Sequence, residues 1–291
     1  MMRIFLFLAT NIAIMIVVSI IFNVLGLSST LDAQGINLNL NALLVMSGII
    51  GMTGSVISLA MSKWSAKRAM GVHVIDQPKN KTEQWLLDIV AKQAHLEGID
   101  MPEVGIFQAT EANAFATGMN KNSALVAVST GLLQNMNTDE VEAVVGHEMT
   151  HVANGDMVTM ALMQGVVNTF VFFFATIIGH FVDRVVFKTE RGYGPAYYIT
   201  QMIAQIALGF LASMLVMWFS RYREFKADAG GAKLAGKQKM INALRALQRG
   251  QEAEDLPGQL AAFGFNGGCI NRLFMSHPPL EERIAALQDS R

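Results

Sequence analysis

Gly146-His147-Glu148-Met149-Thr150-His151 is the stretch from which the rest of the chain can be read. On a helix, positions i and i+4 share a face, so His147 and His151 can each aim a ring nitrogen at one metal ion. Glu148 then falls beside the ion rather than on it, in the place of a general base for a hydrolytic zinc site. The helix carrying the motif is expected to start at Asn137, with Glu140 three residues on as in a capping box. Val141, Val144, Val145, Met149 and Val152 form an apolar stripe beside the ligand face, and Asn154-Gly155 supplies a stop.

The composition around this motif is that of a membrane protein. Of 291 residues, 52% are hydrophobic and only 15% charged, against roughly 25% charged in a globular domain. Lys and Arg number 22 and Asp and Glu 23, which leaves no electrostatic footprint for nucleic acid. The single Cys269 excludes an intramolecular disulfide framework, and the 19 methionines are scattered as apolar filler rather than spaced as ligands.

Four apolar runs are long enough to cross a bilayer, at about residues 4–26, 41–61, 157–182 and 197–219. The first is too long for a signal-peptide core and ends in Val24-Leu25-Gly26-Leu27 without a small-x-small cleavage site. Gly48, Gly51 and Gly54 in the second are spaced to let a neighbouring helix approach. Lys63-Trp64-Ser65-Ala66-Lys67-Arg68 follows it, and the positive-inside rule puts this cluster, and hence both termini, in the cytoplasm. The segment from Asp183 to Tyr193, with Arg184, Lys188 and Arg191, fits the rule less well, but crossing parity assigns it outside.

The polar segments read as a mixed α/β domain. Trp85, Leu86, Ile89, Val90 and Leu96 mark a helical stripe, and residues 103–108 and 124–129 read as strands. Between these, Asn113-Ala114-Phe115-Ala116-Thr117-Gly118 suits an edge strand of a hairpin. After the fourth run the helix is expected to continue through Glu224 and Asp228. An amphipathic helix over 237–250, a loop over 252–268 and a terminal helix over 279–288 follow. The expected architecture is an α+β membrane protein, mainly helical, with four transmembrane helices and a cytoplasmic zincin-like catalytic domain containing a small β-sheet. Two transmembrane hairpins, 1–62 and 157–219, are expected to alternate with the two stretches that build the catalytic domain, 63–156 with the HEMTH helix and 220–291.

A hydrolytic zinc needs a third protein ligand. His73, His95, His180, His277 and several carboxylates are candidates by residue type, and topology favours Glu224. Two crossings separate it from His147, which returns both to one face. At about 1.5 Å per residue it stands roughly 6–8 Å beyond the fourth run, level with His151. Asp228, one turn further, can orient a ligand histidine through its far nitrogen. Gln164 with Asn168, and Gln201 with Gln205, lie four apart within the membrane runs and suit interhelical hydrogen bonds or a wet cavity.

Four segments together resemble the HtpX family of bacterial membrane zinc metalloproteases, relatives of the endoproteases that process prenylated proteins. These are the HEMTH motif, Arg223-Glu224-Phe225-Lys226-Ala227-Asp228, Asn113 to Gly118, and Ser276-His277-Pro278-Pro279 with Arg283. The resemblance implies one zinc ion per chain held by His147, His151 and Glu224, with Glu148 as base and Asp228 behind a ligand. It implies that Asn113, Ala114, Phe115, Ala116, Thr117 and Gly118 bind a peptide substrate by strand addition, and that His277 and Arg283 stabilise the tetrahedral intermediate. It further implies protein substrates, a bacterial inner membrane and a role in quality control under stress. From spacing alone, His277 is a helix-boundary histidine. The competing classes are a non-catalytic membrane protein that binds or transports metal and a structural scaffold; neither has a use for Glu148.

Overall fold

The computed structural model describes residues 16, 20, 24, 38–189, 193–254 and 277–290. Most of the first apolar run, Cys269, Ser276 and most of the expected 252–268 loop lie outside the described residues. The chain divides into two units, residues 1–58 with 159–216, and residues 59–158 with 217–291.

Among the described residues, three helices are long and apolar enough to cross a membrane: α1 (Leu40–Ala69), the segment Asp156–Val186 and α6 (Pro195–Ala235). The second is made of α5 (Asp156–Phe181) and a closing π turn, Val182–Val186. Their outward faces carry Val45, Ile49, Ile206, Phe210 and Leu215, all exposed, as a surface bathed in lipid requires. The first unit packs through small residues. A Cβ on Gly51 would come within 2.6 Å of the Thr169 backbone, and Ser55 donates to the carbonyl of Ala161, whereas Gly54 faces open space. Gln201 donates to Thr176 Oγ1 across helices at 3.0 Å. Gln164 differs from the expectation, because its amide bonds Asn168 Oδ1 along the same helix at 2.8 Å.

The second unit is built on a four-stranded sheet in the order β1-β2-β4-β3: β1 (His73–Val74), β2 (Glu103–Phe107), β3 (Ala114–Gly118) and β4 (Ala124–Ser129). β2 and β4 are parallel, and β1 and β3 join antiparallel at the two edges. β4, one of the two inner strands, is buried at every position. Helix α2 (Lys81–Glu97) covers the sheet with Leu86, Ile89 and Val90, but Leu96 from the expected stripe is exposed, since the helix ends one turn beyond its packing face at the Gly98 cap. The short helix α3 (Thr130–Asn135) leads into α4 (Thr138–Asn154). Asn137 and Glu140 form the reciprocal capping box, and Gly155, at φ 64°, closes the far end. Val141, Val144, Val145, Met149 and Val152 are all buried against the sheet and against α7 (Lys237–Glu254). The terminal helix α8 (Leu280–Asp289) packs on α7.

The C-terminal part of α6 runs close against the motif helix, with glycines on its side of the contact. A Cβ on Gly231 would sit 3.0 Å from the backbone nitrogen of His147, and one on Gly230 would collide with the side chain of Thr150. Gly230→Val is therefore expected to lower the unfolding temperature of the detergent-solubilised protein, the overpacking costing about 1–3 kcal/mol. Metal content should fall with it, and an unchanged transition would contradict this close approach.

Candidate active site

The last two turns of α4 present His147 and His151 on one face with their rings edge to face, 4.8 Å apart at the centroids. Glu224 comes from α6. Its Oε2 lies 3.4 Å from His147 Nε2 and its Oε1 3.2 Å from His151 Nε2, while the two Nε2 atoms are 3.2 Å apart. These three residues are the one group among the described residues whose ligand atoms lie together in a way that could hold a metal ion. His73, His95 and His180 take no part.

The far side of each imidazole is occupied by a carboxylate. Asp228 Oδ1 is 3.0 Å from His147 Nδ1, and Asp156 Oδ2 is 2.6 Å from His151 Nδ1. Where each Nδ1 donates to its carboxylate, each Nε2 is left to offer a lone pair to a cation. Two nitrogen lone pairs and a carboxylate edge thus converge with no donor among themselves, an arrangement that suits a cation. Ligand bonds of about 2.0–2.1 Å in a tetrahedron require edges of about 3.3 Å, the separations seen here. The donor set fits a metal ion.

In the absence of a cation the same atoms compete for protons. Burial disfavours a charged His147, but hydrogen bonds to Asp228 and Glu224 outweigh it and raise its pKa. Burial pushes the Glu224 carboxyl up, and the bonds from His147, His151 and His277 hold it well below the usual carboxylate range. Glu148 is different: burial pushes its carboxyl above the usual range, assisted by the charge of Glu224 and only partly offset by the imidazoles.

A cavity of about 260 Å³ opens beside these groups, lined among others by Asn113, Ala114, Val144, Glu148, His277 and Arg283. Ala114 begins β3 and Asn113 directly precedes it; the outer edge of β3 has no strand partner among the described residues. Phe115, Ala116 and Thr117 continue it half-buried to Gly118. His277 reaches in from the start of α8 and places Nδ1 2.6 Å from Glu224 Oε2, with its side chain 60% exposed. Arg283 is buried. Its Nε donates to Asp228 Oδ2 at 2.7 Å, its Nη2 reaches Asp228 Oδ1, and its Nη1 lies 3.5 Å from Glu224 Oε2. The resemblance alone gives no hint of that tight pairing with Asp228.

Two residues were given no role by the sequence reading, Asp156 behind His151 and Arg223, whose Nη2 is 2.8 Å from Asp156 Oδ2. A signal existed: an acidic residue directly after the Gly155 stop, and an arginine directly before Glu224.

A helix with two histidines on one face, a carboxylate between them beside a cavity, and a third acid brought in by a later helix define a metal-dependent peptide hydrolase. The chain belongs to Peptidase family M48, whose model matches residues 80–291. It is 63% identical to "Protease HtpX" of Thioalkalivibrio sulfidiphilus over 99% of both chains, and 62% identical to "Protease HtpX homolog" of Nitrosomonas europaea over the full length of both. Among solved structures it is similar to the crystal structure of S. mikatae Ste24p, with a TM-score of 0.62 at 19% identity over 94% of this chain and 66% of that one, a likeness of fold. The protein is a multi-pass membrane metalloendopeptidase that acts on protein substrates.

Proposed function

We propose that the metal is zinc, one ion per chain, held by His147, His151 and Glu224, and that the enzyme clears misfolded or damaged membrane proteins from the bacterial inner membrane. The catalytic unit, assembled from residues 63–156 and 220–291, then faces the cytoplasm, as do both termini, and the hairpins 1–62 and 157–219 anchor it. The observation that carries this reading is the convergence of three acceptor groups at tetrahedral-edge spacing beside a carboxylate that lines a cavity.

Zinc bound there supplies Lewis acidity, polarising a peptide carbonyl and lowering the pKa of a coordinated water toward about 7. Glu148, its carboxyl outside the ligand set, takes a proton from the attacking water and returns it to the leaving amine. A substrate segment lies extended along β3, adding backbone hydrogen bonds to the edge from Asn113 to Gly118, a mode indifferent to side-chain identity and suited to unfolded clients. His277 and Arg283 meet the developing oxyanion. Arg283 does so through Nη1, because Nε and Nη2 are engaged by Asp228. Asp228 fixes the orientation of His147.

The test uses membrane vesicles of both orientations and an unfolded soluble substrate. Inside-out vesicles should cleave it and right-side-out vesicles should not, with a chelator abolishing cleavage and zinc restoring it. Cleavage only by right-side-out vesicles would overturn the orientation, and chelator-resistant cleavage would overturn the metal.

A further inference from the structure

We propose that Asp156 and Arg223 form a positioning pair for His151, the counterpart of Asp228 and Arg283 behind His147, and that this pair sets how tightly the chain holds its metal. The proposal rests on His151 being a ligand.

The geometry is built from a helix junction. Gly155, left-handed at φ 64°, ends α4 so abruptly that the next residue, Asp156, already opens α5 and turns its carboxylate back onto the last turn of α4. That carboxylate meets His151 Nδ1 at 2.6 Å. Asp156 is buried, and so is the guanidinium that meets it, Arg223 Nη2, at 2.8 Å from the same oxygen. His151 and Arg223 thus both donate to Oδ2, which fixes the direction from which the carboxylate addresses the ring. Arg223 also neutralises a charge that would otherwise stand buried and unpaired.

The two pairs are not equivalent. Arg283 grips Asp228 through two nitrogens, whereas Arg223 reaches Asp156 through one, and its buried Nε has no hydrogen-bond partner among the described residues. A buried donor left unmatched is a cost in stability. A purely structural ion pair would have little reason to carry that cost, whereas a group held to aim a carboxylate at an imidazole does. The plainer alternative is that Asp156 serves only as an acidic residue in the first turn of α5, where it would favour the helix dipole and leave the metal untouched.

Zinc affinity of the full-length protein in detergent, measured by competition with a chelating indicator, separates the two. The variants are Asp156→Ala, Asp156→Asn, Arg223→Met, Arg223→Lys and the double variant Asp156→Ala/Arg223→Met. Asp156→Ala is expected to weaken zinc binding by about 10–100-fold, the effect of removing an outer partner of a metal-bound histidine. Arg223→Met should weaken it less, with Arg223→Lys closer to wild type. The double variant should bind no more weakly than Asp156→Ala, because the arginine acts through the aspartate. Asp156→Asn, which keeps an oxygen facing Nδ1, should fall between wild type and Asp156→Ala, and it carries the test if the alanine variant does not fold. Cobalt-substituted protein should show a changed visible spectrum in Asp156→Ala. Unaltered zinc affinity in both Asp156 variants, or additive losses in the double variant, would overturn the proposal. Unaltered affinity in His151→Ala would instead overturn the ligand assignment beneath it.

Discussion

Glu148→Gln is expected to abolish peptide cleavage while the purified protein keeps its full equivalent of zinc. The glutamine is isosteric and leaves His147 and His151 on the same face of α4, so the donor set is undisturbed. What it removes is, among the described residues, the only carboxylate that lines the cavity without belonging to the converging group. A positioned general base contributes about 10²–10⁴-fold to rate, and Glu148 serves as base for the water and as acid for the leaving amine, so the loss should lie at or beyond the upper end. Burial holds its carboxyl above the usual range, which makes it a stronger base than an exposed glutamate once deprotonated. Unreduced cleavage by a variant with full zinc content would remove Glu148 from the chemistry.

The second large effect belongs to Glu224→Ala, which should lose both metal and activity. The substitution deletes the only anion in the donor set and leaves two imidazole lone pairs 3.2 Å apart without a third ligand. Its effect on zinc affinity should exceed the roughly 10–100-fold expected for an outer partner. His277→Ala is the informative comparison. His277 touches the same carboxylate at 2.6 Å but contributes no atom to the converging three, so it should retain zinc while losing rate. Zinc content by elemental analysis checks both. Full occupancy in Glu224→Ala would show that another group is the third ligand.

Local chemistry made much of the second unit legible in advance. The capping box, the glycine stop and the apolar stripe of α4 are encoded within about five turns of helix, and the short apolar strands 103–107 and 124–129 within single runs. Crossing parity is a long-range constraint of another kind, and it pointed to Glu224, which the fold brings within 3.4 Å of His147. Asp228, one turn after Glu224, was legible as the residue behind a ligand histidine, but the pairing of Arg283 with it and the contact of Asp156 with His151 were not. Arg283 lies 55 residues from Asp228 and is separated from it by the segment 255–276, so no periodicity links them. Asp156 is only five residues from His151, but its reach depends on a left-handed glycine between two helices, a geometry that a run of letters does not display. Leu96 fitted the helical period of α2 and is nevertheless exposed, because the period says which face is apolar and not where the packing partner ends.

The most direct test is anomalous diffraction at the zinc edge from crystals of the zinc-loaded protein. One strong peak per chain is expected, about 2.0–2.2 Å from His147 Nε2, His151 Nε2 and a Glu224 carboxylate oxygen. A peak bound by other residues, or active crystals with no peak at these three side chains, would contradict the assignment of His147, His151 and Glu224 as the metal ligands.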